Sequence, residues 1–210
     1  MSPRARGGFT LLEALLALAL SAIVVVAAAR ALSGTRRAAD ATSTSADALL
    51  ARDLGADLLA REVRRAGYVP VPPPPGGAWE GWPASLELTL GAGASGPDAI
   101  RVRYVDDRLA DALVARDLTF EVAVDGRGDP QLYRVTAGGS KQPLVGGVSG
   151  LRISGWADAR GLHGRSELVP GAGLRPWLLL LALSARGAER SRTVAVPLPS
   201  RPRTAVAAAP

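Results

Sequence analysis

Cysteine is absent from the chain and histidine occurs once, as His163. That inventory excludes disulfide frameworks, thiolate nucleophiles, cysteine-based zinc sites and multi-histidine metal centres. Lysine is nearly missing too: Lys141 is the only one, and arginine supplies the rest of the 25 basic residues. A net charge of +6 and a pI near 10.8 raise the question of a nucleic-acid partner. The same chain is crowded with alanine, glycine and proline, so the arginine bias reads more simply as GC-rich coding than as a phosphate-binding design. No Gly-x-Ser-x-Gly, phosphate loop or dinucleotide fingerprint occurs.

What is present is globular in character. The chain has 210 residues, 48% apolar and 21% charged, enough for one medium domain with a long appendage and too little for two catalytic domains. Residues 1–8 are basic and contain no acid, and from Phe9 to Ala29 the only charged residue is Glu13. As a helix those 21 positions span about 31 Å, matching a hydrocarbon core of about 30 Å, whereas a secretory signal needs an apolar run of only about 7–15 residues. Arg4 and Arg6 favour a cytoplasmic N-terminus, although Arg30, Arg36 and Arg37 beyond the span weaken the asymmetry. A carboxylate inside an apolar span costs up to about 2.5–3.5 kcal/mol at mid-membrane and less near the interface, so Glu13 needs a partner or a purpose.

The run Gly8-Phe9-Thr10-Leu11-Leu12-Glu13-Ala14-Leu15-Leu16-Ala17-Leu18-Ala19 resembles the processing motif and hydrophobic helix of the type IV pilin and pseudopilin superfamily. The resemblance implies cleavage after Gly8 by an inner-membrane prepilin peptidase and methylation of the new N-terminal Phe9. It gives Glu13 a role in methylation and assembly. Two plainer readings stand beside it: a signal anchor with Glu13 near the headgroups, and a cleaved secretory signal using Ala27-Ala28-Ala29 or Ala29-Arg30-Ala31.

Beyond Ala29 the sequence stays helix-friendly to Ala66. Leu49, Leu50, Leu54, Leu58, Leu59 and Val63 recur at helical intervals, which predicts an amphipathic continuation over 30–67. Asp57 and Arg61 have the spacing of an i,i+4 pair, Gly67 can end the helix in a left-handed conformation, and Gly34 or Gly55 can interrupt it. From Phe9 to Ala66 such a helix runs for about 87 Å. The stretch from Leu58 to Tyr68 is similar to the end of that helix in the minor pilins called PilW and, more loosely, in the GspJ pseudopilins of type II secretion.

Residues 68–85 are rich in proline and glycine and predict a stiff connection. From 86 to 198 apolar and polar residues alternate in about seven runs: Leu86–Leu90, Ile100–Val105, Thr119–Val124, Leu132–Val135, Val148–Ile153, Trp177–Ser184 and Thr193–Leu198. Asp125-Gly126 reads as a hairpin turn, and Leu178 to Leu181 as a strand buried on both faces or lying beneath the helix. Residues 199–210 read as a flexible tail. The expected architecture is α+β and pilin-like: a leader (1–8), a membrane-spanning or filament-core helix (9–29), its amphipathic continuation, and a mainly antiparallel β head on which the helix packs.

Chemistry in the head is sparse. His163 sits in a glycine-rich loop candidate with no adjacent acid, Asp125 to Asp129 makes a weak calcium loop that a turn explains equally, and Asp106, Asp107 and Asp111 have a similar weak claim. No cofactor, metal site or catalytic residue is expected, and the chain is read as a non-enzyme.

The resemblance implies these partners: the prepilin peptidase, other major and minor pilins or pseudopilins, the inner-membrane assembly platform, and membrane lipid before assembly. The head would stand in the periplasm. DNA is an open branch, in which Arg101, Arg103, Arg134 and Arg152 would line one sheet face. The runner-up is a membrane-anchored or secreted β-domain that binds a ligand, its N-terminus serving only as an address; an anchored hydrolase is a third reading.

Overall fold

The computed structural model describes residues 11–69, 84–91, 97–106, 113–188, 190–198 and 204–208. They comprise one long helix, α1 (Leu11–Val63), and eleven strands. By compactness the chain divides into two units, Met1–Thr44 and Ser45–Pro210.

In the first unit α1 continues without a break through Gly34. Nothing lies within 4 Å of a Cβ built on that glycine. Ser33, Thr35, Thr42, Ser43 and Thr44 turn their hydroxyls back onto carbonyls three or four residues earlier, at 2.8–3.0 Å. Their polar groups are thereby satisfied within the helix itself.

In the second unit α1 packs through small residues. Its buried positions are Ala48, Gly55, Ala56, Leu59, Ala60 and Val63, spaced three or four apart along one face. Leu49, Leu50 and Leu54, expected on the core face, are exposed instead. The reason is visible at Gly55, where an added Cβ would come 3.2 Å from Val148 Cγ2 and 3.3 Å from Leu183 Cδ2. Backbone and sheet approach too closely there for a leucine-sized face, so Gly55 seats the helix rather than interrupting it. Past Val63 a turn runs to Gly67, which has φ 75° as its C-terminal position predicts, and whose N–H donates to the Arg103 carbonyl at 2.9 Å.

The strands are β1 (Leu86–Leu90), β2 (Ala99–Asp106), β3 (Val114–Val124), β4 (Pro130–Thr136), β5 (Lys141–Gly146), β6 (Val148–Asp158), β7 (Gly161–Gly164), β8 (Gly173–Leu174), β9 (Leu178–Ala185), β10 (Arg192–Pro197) and β11 (Thr204–Ala208). They form a seven-stranded sheet in the order β5-β4-β3-β2-β1-β11-β8 and a four-stranded sheet in the order β10-β9-β6-β7. Among the described residues every pairing is antiparallel except β1 with β11. The α+β expectation of a long helix on a mainly antiparallel head is what the structure shows. One core joins helix and sheets: Leu59 and Val63 of α1, Leu88, Ile100, Phe120 and Leu132 of the larger sheet, and Leu151, Ile153, Leu181 and Leu183 of the smaller.

Three sequence expectations are corrected. Residues 204–208 are not a flexible tail: they form β11, inserted between β1 and β8 with Val206 opposite Leu88. Leu178–Leu181 is not buried on both faces, since Leu179 and Leu181 are buried while Leu178 and Leu180 are half-buried. Asp57 meets not Arg61 but Arg192 of β10, at 3.7 Å, and the same guanidinium holds Asp53 at 3.1 Å. The prolines from Pro70 to Pro75 lie outside the described residues.

Candidate functional site: the exposed apolar helix

Glu13 is the third described residue of α1. Around it the side chains of Leu11, Leu12, Leu15, Leu16, Leu18 and Leu20 are 54–82% exposed, and those of Ile23, Val24, Val25 and Val26 are 51–66% exposed. These positions cover every side of the helix, because four consecutive residues already sweep a full turn.

The most apolar 18-residue window has a mean hydropathy of 2.6, and none of it is buried. A core helix of a soluble domain passes the same hydropathy test, but it does so mostly buried. An all-round apolar helix that is exposed among the described residues suits a surrounding apolar phase, either lipid or other helices. Gly8 and Phe9, the other two positions singled out by sequence, lie outside the described residues.

The head supplies its own polar clusters. Asp98 has a fully buried side chain whose Oδ1 accepts from Gly91 N–H at 2.8 Å and from Arg165 Nη2 at 2.7 Å. Its Oδ2 accepts from Ile153 N–H at 2.7 Å and from Arg165 Nη1. That one carboxylate ties β1 and β2 of one sheet to β6 of the other. On β2, Arg101 holds Asp117 through two bonds of 2.7 and 2.8 Å, and the buried Arg103 reaches Asp117, Glu87 and the Ala84 carbonyl. Burial works against the Asp117 carboxylate, but the bonds and charges of Arg101 and Arg103 outweigh it and hold its pKa below the usual range.

The arginine face imagined for DNA is therefore not assembled. Arg101 and Arg103 are neutralised by Asp117 and Glu87, and Arg152 belongs to the other sheet.

His163 departs furthest from its sequence reading. It is on β7, not in a loop, and it has two acids: Nδ1 lies 2.8 Å from Glu167 Oε2 and Nε2 lies 3.0 Å from Asp158 Oδ1. Its ring stacks on the buried Trp156 at a centroid distance of 4.2 Å. Hydrogen bonds donated by the ring to Glu167, then to Asp158, raise the imidazole pKa above its ordinary value near 6.5. Carboxylates only accept, so both contacts are hydrogen bonds only when both ring nitrogens carry protons. No nucleophile or metal partner joins this trio, and among the described residues no group of three or more His, Cys, Asp or Glu could hold a metal ion. The three are near neighbours in the sequence, brought together by the β6–β7 hairpin and the following 3-10 turn (Arg165–Glu167).

At the suggested calcium loop, Asp125 Oδ1 accepts the N–H groups of Arg127 and Asp129 at 2.8 and 2.9 Å, and Oδ2 accepts from Gln131 Nε2 at 2.8 Å. These are the bonds of a hairpin turn, completed by Gly128 at φ 86°. Asp106 pairs with Arg116 at 3.5 Å, and Asp107 and Asp111 lie outside the described residues.

No curated protein and no solved structure matches the chain. Residues 3–29 match the family model for the prokaryotic N-terminal methylation motif. The match covers the basic start, Gly8, Phe9, Glu13 and the apolar run. Together with the exposed helix it is consistent with inner-membrane anchoring and supports a pilin-like filament subunit of the type IV pilin and pseudopilin superfamily.

Proposed function

We propose that the chain is a minor pilin-like structural subunit, nearest in kind to PilW and GspJ, of a type IV pilus or a related filament system. A prepilin peptidase cuts after Gly8, Phe9 becomes the methylated N-terminus, and the subunit waits in the inner membrane with its head in the periplasm. The assembly platform then extracts it and packs it among other pilins through α1. Its contribution is assembly, not turnover.

The observation that carries this reading is the coincidence, within residues 3–29, of the methylation motif and of a helix whose apolar side chains are exposed among the described residues. Cleavage would leave a cationic amine at Phe9. In a filament core that amine needs a counter-charge, and a Glu13 carboxylate on an axially offset neighbour supplies it. Two buried charges then become one satisfied pair, and removing either strands the other. Leu49, Leu50 and Leu54, 45–68% exposed, extend the uncovered apolar surface into the second unit and support lateral contact with other helices.

The test is the intact mass and N-terminal sequence of the protein taken from its native membrane, with the peptidase present and absent. A chain that begins at methylated Phe9 only when the peptidase is present is the expected result. A start near Arg30 or Leu32 would replace this reading with a secreted β-domain.

A further inference from the structure

A cleft lined by β3, β6 and β9 encloses about 460 Å³, within the size range of small-molecule sites. Val122 and Val124 line its apolar part, and Ser149, Arg152 and Ser184 line its polar part. Ser149 is the extra residue of a β-bulge, because the register steps from Val148 opposite Ala185 to Gly150 opposite Ser184. Bulges re-aim side chains and are frequent beside binding sites. Gly150 has no side chain to occupy the space beside Ser184, where a Cβ would lie 3.5 Å from the serine Cβ.

Arg152 is the charged residue of this cleft, and no carboxylate is among the described residues lining it. Its Nε is buried and hydrogen-bonded to nothing. Arg101, Arg103 and Arg165 each hold a carboxylate, and Arg134, whose Nε is likewise buried without a partner, donates from Nη2 to Gln142 Oε1. A desolvated guanidinium nitrogen without an acceptor is costly, and an anion in the cleft removes that cost.

We propose that this cleft binds a carboxylate carried on a short, branched apolar body. Arg152 supplies the counter-charge, Ser149 and Ser184 supply hydrogen bonds, and Val122 and Val124 cover the apolar end. An inorganic anion would satisfy the arginine but leave the apolar wall in water, and an alcohol would do the reverse. The same chemistry is offered by a free short-chain acid and by the C-terminal residue of a peptide.

The experiment titrates the full-length chain in detergent micelles, isotope-labelled at arginine Nε, with isovalerate as the free acid and N-acetylvaline as the peptide end. Isoamyl alcohol, N-acetylvaline amide and inorganic phosphate are the controls. The expected result is a saturable shift of the Arg152 Nε–H resonance by at least one carboxylate, with a midpoint of order 1 mM. The controls bind at least about tenfold more weakly, Arg152→Gln weakens the carboxylate about tenfold or more, and Arg152→Lys retains part of the affinity. Whichever carboxylate saturates first identifies the source. The proposal is overturned by the absence of any saturable shift at about 50 mM, by equal binding of the alcohol or the amide, or by undiminished binding to Arg152→Gln. Should the Gln variant fail to fold, an Arg152→Lys protein that unfolds at the wild-type temperature and binds no carboxylate more tightly than the amide overturns it equally.

Discussion

One helix carries two kinds of surface. From Leu11 to Thr44 it is apolar and then Ser/Thr-rich, and every described side chain is exposed. From Ser45 to Val63 it is built around Ala48, Gly55, Ala56 and Ala60, and those positions are buried in the core of the head. Small residues let the second region approach the sheets closely, with Leu59 and Val63 fully buried beside them, whereas the leucines and valines of the first region are exposed. Side-chain size in the second region is set by the distance to β4, β6 and β9. In the first the described leucines and valines are exposed, and under the proposed function they answer to a surface that lipid or other subunits provide. A substitution in one region should therefore change assembly and leave the head untouched, and one in the other should do the reverse.

The largest expected effect tests the first region. Losing one partner of a buried pair costs about 3–5 kcal/mol, so Glu13→Leu should reduce incorporation into filaments more than about a hundredfold. The unfolding free energy of the head should change by less than about 0.5 kcal/mol. Filament yield by immunoblot of sheared surface fractions, beside chemical denaturation of the same variant, checks both halves. Normal yield would demote Glu13 to a residue that merely sits near the headgroups.

Asp98→Ala is the counterpart in the head. It strands Arg165 and the N–H groups of Gly91 and Ile153 around a site with no water access from the carboxylate side. A loss of about 3–5 kcal/mol is expected, a large share of the roughly 5–15 kcal/mol that holds a domain of this kind together. Denaturant unfolding measures it. A loss under about 1 kcal/mol would mean that the two sheets are held together by apolar packing alone.

The sequence made local order visible and non-local closure invisible. The alternation of Leu86–Leu90 matches β1 residue for residue, and the run ending at Ser184 lies within one residue of β9 at each end, because period-two burial is written in neighbouring residues. Strand β5 was obscured by Pro143, which argues against a central strand but is tolerated at the edge position β5 occupies. Strand β11 carries no strand signal in its sequence, because alanine has little strand preference and its partner β1 lies far back in the chain. Of the assembly residues, Glu13 announced itself as a charge in an apolar run. The trio around His163 is close in sequence and depends on the turn geometry after β7, whereas the bridge from Arg192 to Asp53 and Asp57 and the environment of Arg152 depend on contacts between residues far apart in the chain.

A smaller pair of substitutions sharpens the contrast within α1. Gly34 has open space around it, so Gly34→Ala should raise helix stability by about 0.5–1 kcal/mol through propensity alone. Gly55→Leu must push Val148 and Leu183 aside and should cost the head about 1–3 kcal/mol. Opposite signs from two glycines of one helix, read by circular dichroism and by head unfolding, would confirm that packing rather than propensity governs the second region. A Gly55→Leu protein of wild-type stability would show that helix and sheets can separate at no cost.

The smallest effect concerns His163, where the sign follows from the protonation states. The imidazole pKa is raised in the folded head, chiefly by Glu167 and then by Asp158. Folding therefore favours the protonated ring, and the contribution is complete below the ordinary value near 6.5 and lost as pH rises through the elevated folded value. At the acid end the cluster fails differently. Asp158, held down by the Arg160 backbone N–H and then by His163, and Glu167, held down first by His163, lose their contribution as pH falls through their lowered values. Stability from the trio should thus be greatest between those limits and decline into the mildly alkaline range, where a neutral ring keeps only one of its two N–H bonds. Urea midpoints at about pH 5.5, 7 and 8.5 should fall along that series for the wild type. In His163→Gln they should lose that alkaline decline. An identical slope in the variant would assign the pH dependence to another group. The same comparison in Glu13→Leu should reproduce the wild-type slope, because a residue of the uncovered helix has no part in the titration of the head.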